Sequence, residues 1–218
     1  MRILVTGDRN WRNSVLMSKV FSLFTGTHTL IEGEARGADS MARDIALARG
    51  WEVIRVPADW VKYGRGAGPI RNQQMLDMGP DQVWAFHDNL ACSKGTLDMV
   101  RRSKRAGKDV KYFFTPKVHN LHNLPDIWKK MPSLYAYIGR AGHGMEGKYG
   151  NPVIAGRLCP NCGEKHTTGG STLKCYEEML LRSIDYQPDY IEPLRGKHLV
   201  CFCAPNPCHG DVLLRLLS

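Results

Sequence analysis

Residues 1–9 read MRILVTGDR, and residues 29–39 read TLIEGEARGAD. In each, a short apolar run stops at a glycine and charged residues come next. Ile3–Thr6 and Thr29–Glu32 therefore read as buried strands, apolar on both faces. Each strand leads into a segment with helical spacing. Ser14–Phe24 repeats Val15, Val20, Leu23 and Phe24, and Ala38–Arg49 places Met41, Ile45 and Ala48 on one face. The alternation continues with a strand at Trp51–Val56, a helix at Pro69–Met78, a strand at Gln82–Phe86, a helix at Gly95–Ala106 and a strand at Val110–Phe114. Five strands alternating with four helices predict an α/β, Rossmann-like parallel-sheet domain over 1–115. Ligands of such a sheet bind beyond the carboxyl ends of its strands.

Residues 116–133 hold three prolines and no sustained period, so a linker is expected there. A smaller α+β domain is expected over 134–218. It begins with the apolar run Leu134–Ile138 and a Gly-rich segment at 139–150. After these come a Cys-rich loop at 159–170, a helix near Leu173–Ser183, a strand at His198–Phe202 and a helix at Asp211–Leu217.

With 43% hydrophobic and 23% charged residues, the 218-residue chain can build an ordinary core and is not a disordered polymer. No run approaches the roughly 18 apolar residues that cross a bilayer. The first apolar run is too short for the core of a signal peptide. A soluble cytoplasmic protein without a membrane partner is expected. The net charge of +9 is spread over both halves and suits a polyanion, from a nucleotide to DNA. No continuous basic stripe or groove-reading helix is visible. Single-stranded nucleic-acid binding stays an alternative that the charge permits.

Four segments lie just after predicted strands and carry glycines at the turn into a helix. They are Gly7-Asp8-Arg9, Glu32–Asp39, Gly64–Asn72 and Ser93-Lys94-Gly95-Thr96. Such turns allow close backbone approach, and helix N-termini offer free N–H groups and partial positive charge, which together cradle a phosphate. Arg9, Arg36 and Arg71 can add bidentate contacts. The candidate ligand-binding residues are Gly7, Arg9, Gly33, Arg36, Gly37, Asp39, Arg71, Asn72, Gly95 and Thr96, with Arg140 and Asn151 of the second domain. Trp60 and Tyr63 can stack on a base. His28, His87, His119 and His122 are isolated and read as surface or packed histidines.

These segments form a pattern: a first strand ending in TGxR, then EGxAxGAD, PADW, YGRxAGPxRN and GT. With it, residues 1–115 resemble the small branch of the SLOG superfamily. The resemblance implies a Rossmann-like fold, a nucleotide or nucleotide-derived ligand, and self-association into dimers or larger assemblies. Relatives include the lonely-guy phosphoribohydrolases, which cleave the N-glycosidic bond of modified adenosine monophosphates. Others sense ADP-ribose-like signals or bind single-stranded DNA. The enzymes carry PGGxGTxxE, whereas this chain has SKGTLDM. Ser93 and Lys94 replace two glycines, Met99 stands at the glutamate's position, and Asp98 lies one residue earlier. One residue on a helix turns a side chain by about 100°. Asp98 and Glu32 are the candidate catalytic carboxyls, and Arg71 is the third candidate catalytic residue.

Seven cysteines sit at 92, 159, 162, 175, 201, 203 and 208. An odd count clustered near His166 and His209 points to metal or thiol chemistry rather than a disulfide framework. Cys159-Pro160-Asn161-Cys162-Gly163 is a knuckle of the kind that holds one side of a tetrahedral zinc. Its other half is open between His166 with Cys175 and the later group. Cys201, Cys203, Cys208 and His209 form an independent cluster for a metal or for nucleophilic or acid–base chemistry with Arg140, Asn151 and Asp211. The expected cofactor is zinc, and no organic cofactor is implied. The blocks YIGR (137–140), GNP (150–152), LRGKHLVCFCAP (194–205) and CHGD (208–211) resemble a small uncharacterised domain of bacteria and phages. That resemblance supplies no chemistry.

The leading expectation is a nucleotide-processing enzyme acting by hydrolysis or transfer at an N-glycosidic bond. A non-catalytic sensor or sequestering protein for an ADP-ribose-like signal, in phage–bacterium conflict, is the alternative.

Overall fold

The computed structural model describes residues 1–142 and 144–218. They form two compact units, Met1–Phe114 and Thr115–Ser218.

The first unit is a parallel five-stranded sheet: β1 (Arg2–Gly7), β2 (Thr29–Glu32), β3 (Glu52–Arg55), β4 (Gln82–Phe86) and β5 (Asp109–Phe113). Its order is β3-β2-β1-β4-β5, with Leu4 opposite Ile31 and Val83. Helices α1 (Ser14–Ser22), α2 (Ala38–Ala48), α4 (Ala67–Asp77) and α5 (Gly95–Arg105) join the strands, with a single helical turn α3 (Trp60–Tyr63) before α4. Successive residues of a strand face opposite ways. Ile3 and Val5 thus join Leu30 and Trp84 in a core with Phe21 of α1 and Ala42 of α2. Leu4 joins Ile31 and Val83 in a second core with Met75 of α4 and Met99 of α5. Both faces are covered, which is why the strands read as unbroken apolar runs. The winding reverses between β1 and β4, and the crevice at the carboxyl ends of these strands is the switch point where such sheets bind ligands.

Helix α4 starts two residues before the expected Pro69. Proline fits within that first turn because N–H groups there have no intrahelical partner. The α3 turn is set by Asp59, whose Oδ1 accepts the Lys62 N–H at 2.9 Å. Four residues are too few to show a helical period.

The second unit holds a parallel three-stranded sheet ordered β6-β8-β7, with β6 (Val118–Asn120), β7 (Tyr135–Tyr137) and β8 (His198–Cys201). Helices α6 (Leu173–Tyr186) and α7 (His209–Leu217) pack Tyr176, Leu180, Val212 and Leu213 against Leu199 and Ile138. The expected linker is part of this unit. Val118 pairs with Leu199, and Asn120 Nδ2 donates to Phe202 O at 3.0 Å and Ala204 O at 2.6 Å. Leu124 and Trp128 are buried. A three-residue edge strand among prolines leaves no period to read. No helix among the described residues is long and apolar enough to cross a membrane.

Candidate functional site

At the switch point the exits of β1, β2 and β4 meet the start of α5. Asp8 N donates to Phe86 O at 2.9 Å, Ala38 N to Asp8 O at 3.0 Å, and Thr96 Oγ1 to Gly7 O at 3.1 Å. Gly37 turns into α2 with φ +81°, and a Cβ there would meet the backbone of Asp8 and Arg9. Only glycine meets both demands. The resulting cavity, about 340 Å³, is lined by Gly7, Arg9, Asp39, Arg71, Gly95 and Thr96 among others. A second cavity of about 500 Å³ shares Arg9, Ala35 and Arg71 with it and continues past Gly33, Arg36 and Trp60.

Arg71 is central to both. It projects from α4, donates through Nη1 to Gly33 O, and lies 3.9 Å from Asp39 Oδ2. A Cβ at Gly33 would occupy the space of this guanidinium. Asp39 is 4% exposed, and its Oδ2 accepts the Gly33 N–H at 3.1 Å. Burial pushes its carboxyl up to about 7, against the pull of Arg71. Burial also pulls the Arg71 pKa down, while Asp39 and Glu32 work to raise it. Arg9 faces the Trp60 ring, its guanidinium carbon 5.9 Å from the ring centre. Glu34, beside Arg36, sits at φ +53°, a left-handed conformation that carries strain in a non-glycine residue. Its N–H donates to Glu32 Oε2 at 2.6 Å.

The structure separates the proposed carboxyls. Asp98 lines neither cavity. Its Oδ2 accepts from Asn72 Nδ2 at 3.0 Å and Arg102 Nε at 2.8 Å. Burial works to raise its pKa, but those hydrogen bonds outweigh it and hold the carboxyl below its usual value. Met99 points into the core. Glu32 is fully buried, lines neither cavity, and is raised by burial. Gly37, the N-cap of α2, lines neither cavity. Asn72 lines the smaller cavity and donates to Gly95 O at 3.2 Å. Tyr63 lines neither, whereas Trp60 lines the larger one. His87, read as bland in the sequence, lines the smaller cavity with Asp8 and Lys94. Its place directly after β4 was the available signal.

In the second unit the thiols divide into two groups. Cys159, Cys162, His166 and Cys175 bring their ligand atoms within 4.8 Å of one another. Cys201, Cys203, Cys208 and His209 do the same. His166 and Cys175 thus complete the knuckle. The knuckle is a tight hairpin. Cys159 N donates to Glu164 O at 2.8 Å, Gly163 N to Cys159 O at 2.9 Å, and Asn161 N to Cys159 Sγ at 3.4 Å. Burial opposes ionisation of Cys159, yet the N–H groups of Cys162 and Asn161 bring it down to about 6. Asn161 Nδ2 donates to Glu178 Oε2 at 2.7 Å, which anchors the hairpin to the helix carrying Cys175.

In the other group, Cys208 caps α7. Gly210 N donates to its Sγ at 3.4 Å, and its own N–H donates to Asp211 Oδ2 at 2.9 Å. Asp211 therefore serves the cap. Cys201 is pushed below the usual thiol value, chiefly by the hydrogen bond from Cys208, whose own pKa rises in turn. Arg140 and Asn151 line a third cavity beside this group. Arg140 Nε donates to Asn151 O at 2.7 Å and Nη2 to Val153 O at 2.9 Å.

Comparison with known proteins finds a match within each unit. Residues 1–63 match the YspA, cpYpsA-related SLOG family, and residues 126–218 match a domain of unknown function, DUF4326. The Gene 61 protein of Mycobacterium phage D29 is 35% identical over 115 residues, covering 49% of this chain and 90% of that protein. An uncharacterized 12.4 kDa protein in the nrdA-td intergenic region of Enterobacteria phage T4 is 40% identical over 38 residues. That match covers 17% of this chain and 35% of the phage T4 protein. Residues 1–63 of the chain therefore belong to the YspA, cpYpsA-related SLOG family, and residues 126–218 form a DUF4326 domain.

Proposed function

We propose that the first unit binds a nucleotide or nucleotide-derived molecule by its phosphate and acts on its N-glycosidic bond. The observation that carries this is the convergence of Arg9, Arg71 and Lys94 with the α5 N-terminus on one switch-point cavity. Cations and a helix N-terminus together select a phosphate. The adjoining cavity, with the half-exposed Trp60, suits a base. Cleavage of the bond needs a proton donor for the departing base and a stabiliser of the sugar cation. Asp39 is the donor in this proposal, because it faces the cavity with a carboxyl near neutrality. The base leaves with that proton as the C–N bond breaks, and water adds to the sugar carbon and returns a proton to Asp39. Arg71 holds the phosphate and fixes Asp39. Glu32 supports the loop beneath rather than the chemistry.

A sensor reading draws on one observation. Met99 stands in the core where the related enzymes place a glutamate, and Asp98 is tied to Asn72 and Arg102. Ligand binding is common to both readings, and only turnover separates them.

Calorimetric titration of the full chain with nucleoside monophosphates and with the matching nucleosides tests the phosphate site. At least one monophosphate is expected to bind about 100-fold more tightly than its nucleoside, equivalent to about 2.7 kcal/mol. Equal affinities for every pair would refute the site. The affinity also carries a pH signature. Asp39 holds its proton below about 7 and becomes an anion beside the phosphate above it. Affinity is therefore expected to fall about tenfold from pH 6 to pH 8, and Asp39→Asn to flatten that profile. The same sign governs stability. A carboxyl raised in the fold helps at low pH, and that help is lost as pH rises through the folded value near 7.

The knuckle group is assigned to a structural zinc. Three thiolates and an imidazole make a closed tetrahedral set.

A further inference from the structure

The two Cys/His groups differ in one respect that bears on chemistry. The donors of the knuckle line none of the three cavities of the chain described so far. Three donors of the second group open onto one. A cavity of about 400 Å³ is lined by Cys201, Cys203 and His209 together with Arg140.

The spacing of this group fits an ion. Cys201 Sγ lies 3.6 Å from Cys203 Sγ, and His209 Nδ1 lies 4.0 Å from Cys201 Sγ and 3.7 Å from Cys208 Sγ. Zinc–sulfur bonds of ~2.3 Å at tetrahedral angles put neighbouring donors ~3.8 Å apart. The imidazole is set for the same task. His209 Nε2 lies 2.6 Å from Ile138 O, which can only accept, so the proton sits on Nε2. The Nδ1 lone pair then faces the sulfurs. A carbonyl orienting a ligating histidine in this way is the usual outer support of a metal site.

Burial divides the four donors. Cys201, Cys208 and His209 are 2%, 1% and 4% exposed, whereas Cys203 is exposed. Cys203 lies just beyond the end of β8, and the other three are held by β8 and the first turn of α7. Among the described residues, Arg140 is the one permanent charge on the cavity wall, and no carboxylate lines it. Its guanidinium is fixed by the carbonyls of Asn151 and Val153. Val153, Leu173 and Phe202 make the rest of the wall largely apolar.

We propose that Cys201, Cys208 and His209 hold a second zinc-like ion whose fourth donor, Cys203, is exchangeable, so that a small anionic ligand in the Arg140 cavity binds the ion directly. Two cysteines and a histidine with an open fourth position are a donor set of catalytic rather than structural zinc. In the exchange the Cys203 sulfur–metal bond breaks and its thiolate takes a proton from water. A lone pair of the ligand's anionic group forms the new bond. All residues of this site belong to the second unit, and the proposal does not depend on the assignment of the first.

The test uses the full chain, with metal counted by mass spectrometry and with Co2+ exchanged in as a visible reporter. Azide is the probe anion. The wild-type chain is expected to carry two ions, Cys203→Ala to keep both, and Cys208→Ser to keep one. Azide is expected to change the Co2+ absorption of the wild-type chain. It should bind about tenfold more tightly to Cys203→Ala and do nothing to Cys208→Ser. Loss of the ion from Cys203→Ala would mean a closed structural site and overturn the proposal. So would one ion per wild-type chain, or Co2+ bands indifferent to azide in the wild-type chain, a result independent of how any variant folds.

Discussion

Arg71→Ala is expected to lower affinity for the phosphorylated ligand by about 100-fold or more, and to remove turnover, without unfolding the first unit. Truncating one side of a desolvated charge pair costs about 2–5 kcal/mol, and an anion held by Arg71 loses that partner outright. The guanidinium is shared by both cavities and touches Gly33 O and Asp39, so position and charge are lost together. The fold should survive because neither core cluster of the unit includes Arg71. Arg71→Lys should recover part of the affinity, since a lysine restores charge but not the planar fork. Circular dichroism and titration of the same preparations provide the check. An alanine variant that binds like the wild-type chain would remove Arg71 from the site.

The second large effect is expected at the knuckle. Cys159→Ser should cost one ion per chain and open the hairpin around residues 156–166 to protease. The small cluster beneath it contains Val153, Cys159, Cys175 and Met179. Burying a valine contributes about 1.5–3 kcal/mol. Zinc in small finger domains contributes about 10–16 kcal/mol of apparent folding free energy. The ion therefore dominates this segment, and its loss should be local. Nucleotide binding by the first unit serves as the internal control and should be unchanged. A Cys159→Ser chain with full metal content and an intact hairpin would count against the knuckle assignment.

The first unit was largely legible because its strands are buried on both faces. Ile3, Leu4 and Val5 announce β1 without neighbours, and the same holds for Leu30 and Ile31 in β2. The parallel alternation then placed the segments after β1, β2, β3 and β4 at one edge, and Gly7, Arg9, Asp39, Arg71 and Thr96 converge there. Side-chain direction was not legible. Asp98 is turned from the cavity by Asn72, 26 residues away, and by Arg102 on its own helix. Only the packing of α4 against α5 brings the first of these close. Glu32 ends a strand near the cavity yet is sealed beneath it. In the second unit the two motifs were visible, but the pairing of donors was not. Cys175 reaches the knuckle because α6 carries Glu178 to Asn161. That is a tertiary contact, which spacing does not encode. The β6 strand was hidden for a related reason, since three residues gain their regularity from β8.

The most direct test of nucleotide processing is chromatography with mass detection after incubating the full chain with a panel. The panel holds nucleoside monophosphates, NAD and ADP-ribose derivatives, and protein is denatured before injection. The expected result is a free base and a sugar phosphate from at least one member, absent with Arg71→Ala. A member recovered intact from a tight complex would keep the binding site and replace the enzyme with a sensor. A panel returned unchanged, with none retained by the wild-type chain, would contradict nucleotide binding by the switch-point cavity.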